Sequence, residues 1–292
     1  MSYQIIDGKA TSLKVQEEIA AEVESRVSSG GKRPHLAAVL IGDDPASKAY
    51  VGHKVKACNN VGFESSLVER GSDITEKEVL KIVDDLNNDD SIDGFIVQLP
   101  LPSHIDPVKV IEAVSPEKDV DGFHPVNVGK MSLGLPTFKP ATPAGVMTLL
   151  EYYGIKTEGL HAVVVGRSDI VGNPMSALLR SNTEPGNCTV TQCHSRTKDL
   201  KSHTLQADLL ITAIGKPHFI TADMVKEGTI IVDVGINRIS DPSRKSGSRL
   251  TGDVDFENVA PKCSWITPVP GGVGPMTIAT LLQNTLQAAN GK

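Results

Sequence analysis

The 292-residue sequence is poor in aromatic side chains, with Phe, Trp and Tyr together at 4% and a single tryptophan. That leaves few rings for stacking on nucleic-acid bases. Positive charge is not in surplus either: 29 Lys and Arg face 35 Asp and Glu, for a formal net charge of −6. No global field draws the chain to nucleic acid or an anionic membrane, so any anion site has to be local. The four cysteines, Cys58, Cys188, Cys193 and Cys263, form no Cys-x-x-Cys and pair with no His at zinc-finger spacing. They read as reduced thiols rather than a metal site or a disulfide framework. No stretch approaches the roughly 18 apolar residues of a membrane span, and MSYQIIDGKATSLK lacks the apolar core of a signal peptide. A cytoplasmic protein is expected, with no nucleic-acid, membrane or metal partner.

What is present is an ordinary globular composition, 39% hydrophobic and 22% charged, and at about 150 residues per domain the length favours two domains. Short apolar runs alternate with amphipathic ones, which predicts an α/β protein of parallel strands joined by crossover helices. Val15, Ile19, Val23 and Val27 recur at i+4 and predict a helix over residues 11–27 that stops at Ser28 to Gly31. Strands follow at 35–41, 63–68 and 94–99, with helices over 46–60 and after a Thr75–Glu78 capping box. A Pro- and Gly-rich stretch over 115–143 suits a domain boundary. Beyond a helix at 147–153, strands are predicted at 161–165, 188–193, 209–214, 230–234 and 265–267, with a last helix over 276–289. Residues 243–249 read as a polar excursion.

HAVVVGRSDIVGNPMSALLR combines a strand, a glycine turn and a helix, the arrangement that aims backbone N–H groups at phosphate. Gly166 and Gly172 bracket the turn, but their spacing departs from G-x-G-x-x-G, so a plain strand-to-helix turn fits as well. The next strand ends in His194, Ser195 and Arg196, with no acid to bond the ribose hydroxyls of NAD. Arg196 and Arg167 offer cations to a 2′-phosphate, which reads as NADP. The alternative is that Arg196 is a solvated loop cation.

Tyr50 and Lys54 are i and i+4 on one helix face, with Ser47 a turn earlier. A lysine beside a phenol or amide in a partly buried cleft can handle protons, whereas a surface lysine would only snorkel. Tyr-x-x-x-Lys resembles the short-chain dehydrogenase signature, but there it follows the nucleotide turn and here it precedes it. Gln98 closes GFIVQLPLP at the carboxyl end of a strand, where open α/β sheets place ligands; it could orient a substrate or merely bond backbone. Asp119 and Asp121 in EKDVDGFHP lack the rest of a calcium loop, and the segment around Ser168 fails the nucleophile elbow.

SKAYVGHKVKAC, GFIVQLPLP, EKDVDGFHPVNVGK, VVVGRSDIVGNP, CHSRT, VDVGIN, TGDVDF and PVPGGVGPMT, in this order, resemble the bifunctional methylenetetrahydrofolate dehydrogenase/cyclohydrolase family over nearly the whole chain. The resemblance implies an N-terminal α/β catalytic domain, residues 1–140, with helix 276–292 packing back on it, and a Rossmann-type NADP domain, residues 141–275. It implies a cleft between them for a folate, and a homodimer. Oxidation of 5,10-methylenetetrahydrofolate and hydrolysis of the methenyl product to 10-formyltetrahydrofolate are the implied activities, in one-carbon folate metabolism. Lys54 is implied as the cyclohydrolase catalyst, Gln98 as its positioning partner and Tyr50 as lining the folate. Leu99, Pro100, Asp121, Pro270, Gly271 and Gly272 are implied substrate contacts, with Asp121 on the pterin. Gly166, Arg167, Ser168, Ser195, Arg196 and Ile236 are implied around NADP. The chain departs from the family at Ala141, in PATP where Pro-Cys-Thr-Pro is usual, and in extra residues at 182–186 and 243–248.

Two other readings compete. A monofunctional, NAD-dependent dehydrogenase need not hydrolyse the methenyl product, and Lys54 and Arg196 argue against it. A non-catalytic nucleotide-binding protein would have no use for Lys54, Gln98 and Asp121 together.

Overall fold

The computed structural model describes residues 3–244 and 247–291. The first part of the chain runs β1 (Gln4–Ile5), α1 (Gly8–Ser28), β2 (His35–Ile41), α2 (Pro45–Asn60), β3 (Glu64–Arg70), α3 (Glu76–Asn87) and β4 (Gly94–Val97). It continues through α4 (Pro107–Ala113), α5 (Pro125–Ser132), α6 (Ala141–Tyr152), β5 (His161–Val165), α7 (Gly172–Leu179), β6 (Thr189–Cys193), α8 (Leu200–Thr204) and β7 (Leu209–Thr212). The last part comprises β8 (Thr229–Asp233), β9 (Asn237–Ser240), β10 (Ser248–Thr251), α9 (Phe256–Val259), β11 (Cys263–Ile266) and α10 (Val273–Asn290). These elements form two compact units, residues 13–141 with 278–292, and residues 1–12 with 142–277.

In the first of these units β2 is the central strand of a parallel three-stranded sheet ordered β3-β2-β4. Its HLAAVLI run is buried from Leu36 onward, as a strand flanked and covered on both faces requires. Ala37, Val39, Ile41 and Phe95 pack with Val79 and Val83 of α3 and Val110 of α4. The Thr75–Glu78 capping box forms. β4 ends at Val97, short of the predicted Leu99: Gln98 N–H still reaches the Val39 carbonyl at 2.9 Å, but Pro100 has no N–H to carry the ladder on. The Pro- and Gly-rich stretch holds α5, absent from the sequence expectation, with Pro125 in its first turn and the His124 ring accepting Val126 N–H at 3.1 Å.

The other unit is built on a six-stranded sheet ordered β1-β11-β8-β7-β5-β6, parallel throughout. The chain leaves β5 for β6 on one side and then returns across β5 to β7. The strand order therefore reverses between β5 and β7, the switch point at whose carboxyl ends such sheets hold ligands. Val163, Leu210, Ile231 and Ile266 form the core beneath. The sequence places residues 1–12 in the first domain, whereas here Gln4 and Ile5 pair with Trp265 and Ile266, and Lys9 N–H bonds the Gly271 carbonyl at 2.9 Å. A two-residue strand is too short to announce itself by periodicity. At the other terminus, Asn284 donates to the Val120 and Lys139 carbonyls at 2.8 and 3.1 Å, within the unit of residues 13–141 and 278–292. Of the polar excursion at 243–249, residues 245 and 246 lie outside the described residues, as does residue 292 of the terminal helix; Ser248 and Arg249 of the excursion are strand, since β10 begins there and pairs antiparallel with β9.

Candidate functional site

Helix α2 begins with Asp44 accepting Ser47 N–H at 2.7 Å and Pro45 in its first turn. Its buried stripe is Ser47, Val51, Lys54, Ala57 and Cys58, so a lysine occupies the centre of a face that packing would otherwise give to an aliphatic residue. Lys54 is 5% exposed, which removes the snorkelling alternative. Its ammonium donates to Gln98 Oε1 at 3.2 Å and lies 4.7 Å from the centroid of the Tyr50 ring. The Gln98 Nε2 donates to the Leu99 carbonyl at 2.7 Å. The ammonium form can only donate, so with its Nε2 on the Leu99 carbonyl the amide keeps its oxygen toward Lys54. Gln98 thus bonds backbone, and in doing so it aims its carbonyl at Lys54.

Asp121 enters from a strand-like segment beside β4, where Phe95 bridges Asp119 and Phe95 N–H bonds the Lys118 carbonyl at 3.0 Å. Burial pushes the Lys54 pKa down, and the negative charge of Asp121 works against it. Burial raises the Asp121 pKa while Lys54 lowers it. One turn past Lys54, burial pushes the Cys58 thiol up to about 12, so it stays neutral beside the lysine. A lysine whose charge is disfavoured by burial and supported by one carboxylate, one amide oxygen and one ring face is suited to taking and returning a proton. Ala141, which replaces the usual family cysteine, is 2% exposed and bonds through its N–H to the Asp121 carbonyl at 3.3 Å.

The Asp119 carboxylate is committed to donors of the protein itself. Its carboxylate accepts Phe123 N–H at 3.2 Å, His124 N–H at 2.8 Å and Asn127 Nδ2 at 2.8 Å. It organises the turn that follows Asp121, and burial holds its pKa up at about 6. Among the described residues no group of three or more His, Cys, Asp or Glu could hold a metal ion. No helix among them is long and apolar enough to cross a membrane.

The nucleotide residues gather in the other unit, at the switch point. Gly166 follows β5 with φ +147°, and a Cβ there would meet the Ala213 carbonyl oxygen at 2.4 Å; one on Gly172 would meet the Gly166 carbonyl oxygen at 2.3 Å. The cradle is therefore closed to any larger side chain, and its backbone can lie close to a phosphate. Ser168 Oγ accepts the N–H groups of Val171 and Gly172 at 3.2 and 3.4 Å, which fixes the turn into α7. Arg167, Ser195 and Arg196 are exposed, and neither arginine belongs to an ion pair among the described residues. The nearest following acid, Asp199, caps α8. The pieces fit a phosphorylated dinucleotide: a glycine cradle, uncommitted guanidinium groups and no acid at the tip of β6. Ile236 is 57% exposed beyond β8. Pro270 to Gly272 belong to this same unit, whereas Tyr50, Lys54, Gln98, Leu99, Pro100 and Asp121 belong to the other.

A family model described as the tetrahydrofolate dehydrogenase/cyclohydrolase catalytic domain matches residues 6–121, and the NAD(P)-binding domain of the same family matches residues 140–292. The chain belongs to the tetrahydrofolate dehydrogenase/cyclohydrolase family. The bifunctional protein FolD of Cytophaga hutchinsonii is 63% identical over 98% of this chain and 99% of that one. A crystal structure of the bifunctional FolD enzyme of Campylobacter jejuni superposes with a TM-score of 0.93 at 49% identity, covering 99% of each chain. The Trypanosoma brucei dehydrogenase-cyclohydrolase, solved with NADP and an inhibitor, gives a TM-score of 0.94 at 36% identity, covering 99% of this chain and 98% of that one.

Within this tetrahydrofolate dehydrogenase/cyclohydrolase, the catalytic-domain match holds Tyr50, Lys54, Gln98 and Asp121, and the NAD(P)-binding match holds the glycine cradle and both arginines. Two buried aspartates were not singled out in the sequence: Asp233 and Asp253, beneath the loops after β7 and β8. The one signal they carry is an acid set in an apolar, glycine-flanked run, VDVG and GDVDF.

Proposed function

We infer that the chain oxidises 5,10-methylenetetrahydrofolate with NADP and then hydrolyses the methenyl product to 10-formyltetrahydrofolate. The observation that carries this reading is the buried Lys54 held to Gln98 under the Tyr50 ring, because oxidation alone needs no such group. Hydride departs from the bridging methylene carbon, and the adjacent nitrogens absorb the positive charge without a strong base. NADP, when bound, supplies the hydride acceptor. Water then adds to the methenyl carbon, a C–N bond breaks and one proton is released. Lys54 is the group we assign to move protons in that step, with Gln98 holding its Nζ in place and Asp121 offering a carboxylate to the pterin N–H groups.

We assign Tyr50, Lys54, Gln98 and Asp121, within residues 13–141, to the folate, and residues 142–277 to NADP. Gly166, Ser168, Arg167, Ser195 and Arg196 are the residues that would hold the phosphates, and the two guanidinium groups favour NADP over NAD. Leu99, Pro100 and the loop Pro270 to Gly272 are proposed substrate contacts, and Ile236 a cofactor contact. Four free cysteines, all buried, suit a reducing, cytoplasmic setting. A homodimer is proposed on family grounds.

The test mixes the purified protein with 5,10-methylenetetrahydrofolate and NADP and follows the ultraviolet spectrum. Reduced NADP should appear, and the methenyl band should decay faster than in an enzyme-free control. A methenyl band that accumulates without catalysed decay would reduce the assignment to a dehydrogenase alone.

A further inference from the structure

The blocks VDVGIN and TGDVDF contribute two aspartates that the reaction chemistry leaves unused. Asp253 has no exposed surface, and its carboxylate takes four donors. Ile214 N–H and Gly215 N–H bond Oδ2 at 2.6 and 3.1 Å, and Lys216 N–H and Asn237 Nδ2 bond Oδ1, each at 2.9 Å. Asp233, 3% exposed, stands behind it. Its Oδ1 accepts the Thr212 hydroxyl at 2.9 Å and the N–H groups of Gly235 and Asp253 at 2.9 and 3.1 Å, and its Oδ2 accepts Val254 N–H at 2.8 Å. Two glycines make the interlock possible. A Cβ on Gly235 would fall 2.3 Å from the Asp253 carboxyl carbon, and one on Gly252 would fall 1.9 Å from Asp233 Oδ2.

Apart from the Asp253–Val254 backbone that ties the two carboxylates together, the segments they grip are at the carboxyl ends of β7 and β8. Residues 214–216 follow β7 and form the lip opposite the glycine turn, against which Ala213 already packs. Residues 235–237 follow β8, and the exposed Ile236 lies between Gly235, tied to Asp233, and Asn237, tied to Asp253. Three successive N–H groups turned toward one carboxylate fix three peptide planes. The carbonyls of the same trans peptides, those of Ala213, Ile214 and Gly215, must then point away from Asp253.

We propose that Asp253, backed by Asp233, is a positioning residue for the nicotinamide nucleotide, holding the loops after β7 and β8 in the shape that receives it. The proposal rests on the dehydrogenase reading above. It is tested with Asp253→Asn in the full chain. On the Oδ2 side the new NH2 would face the Ile214 and Gly215 N–H groups, and on the Oδ1 side it would still face the Lys216 N–H, since only the Asn237 amide can turn to accept from it. NADP binding by calorimetry should weaken at least about tenfold, and kcat/KM for NADP should fall in step. Hydrolysis of the methenyl substrate, read without NADP, reports the folded fraction of the same variant. NADP affinity within about twofold of wild type in a variant that still hydrolyses would overturn the proposal. If binding and hydrolysis fall together, Asn237→Ala decides, since it removes one donor only: NADP affinity weakened at least about threefold supports the role, and unchanged affinity overturns it. A wild-type chain that binds NADP but transfers no hydride would sink the proposed function, while the calorimetric comparison would still judge this inference.

Discussion

Replacing Lys54 by glutamine removes the buried amine that the Tyr50, Gln98 and Asp121 cluster holds in place, a group suited to taking and returning a proton. Positioned acid–base groups contribute about 10²–10⁴-fold to such steps. Hydrolysis of the methenyl substrate should therefore slow by that range, a barrier increase of roughly 3–5 kcal/mol. The fold should tolerate the change. Burial holds the folded Lys54 pKa below its ordinary value of 10.5, so below the folded pKa folding opposes a proton that the unfolded chain keeps. Wild-type stability consequently rises with pH between the folded pKa and 10.5, because the unfolded chain binds more protons across that window. Glutamine lacks this dependence, and the variant's stability relative to wild type should be greatest below the folded Lys54 pKa and decline toward pH 10.5. The assay follows decay of the methenyl band without NADP, together with urea unfolding from pH 7 to 10 and NADP binding, which involves the other unit and should not change. Hydrolysis within about threefold of wild type, in a folded variant, would refute the role given to Lys54.

Gln98→Glu places a carboxylate where Oε1 now lies 3.2 Å from the ammonium, favours the protonated lysine and should move the pH–rate profile of hydrolysis upward by about one unit or more; an unmoved profile would separate Gln98 from Lys54. Arg196→Ala should narrow the preference for NADP over NAD by at least about tenfold, and an unchanged ratio of kcat/KM values would mean that the 2′-phosphate is held elsewhere. Asp119 is raised from 3.8 to about 6, so its contribution to stability is fully present below pH 3.8 and is lost as the pH rises through 6, a difference of ~3 kcal/mol. Asp119→Asn cannot titrate, and the stability of wild type relative to this variant should fall by that amount between pH 4 and 8 in urea unfolding; a pH-independent difference would contradict it.

Much of the molecule was legible because its signals are local. The strand HLAAVLI, the Thr75–Glu78 capping box and the glycine turn before α7 each act within a few residues, where steric and hydrogen-bonding preferences operate without the rest of the chain. The pairing of Tyr50 with Lys54 follows from helical geometry alone. The α5 helix was obscured because Pro125, a strong breaker in mid-helix, is a good residue in a first turn, and only the backbone shows which applies. Other features depend on distance along the chain. That Lys54 is buried depends on what covers α2, and its partner Gln98 comes from beyond β4. Gln4 and Ile5 join the nucleotide unit through β11, more than 250 positions away. Asp233 and Asp253 read as two acids in apolar runs until the sheet brings the loops after β7 and β8 onto them. Sequence periodicity determined the elements and the chemistry available, because propensity and amphipathicity are properties of neighbours. Tertiary structure decided which charges lose water and which donors meet them, because desolvation and hydrogen bonding depend on the three-dimensional surroundings.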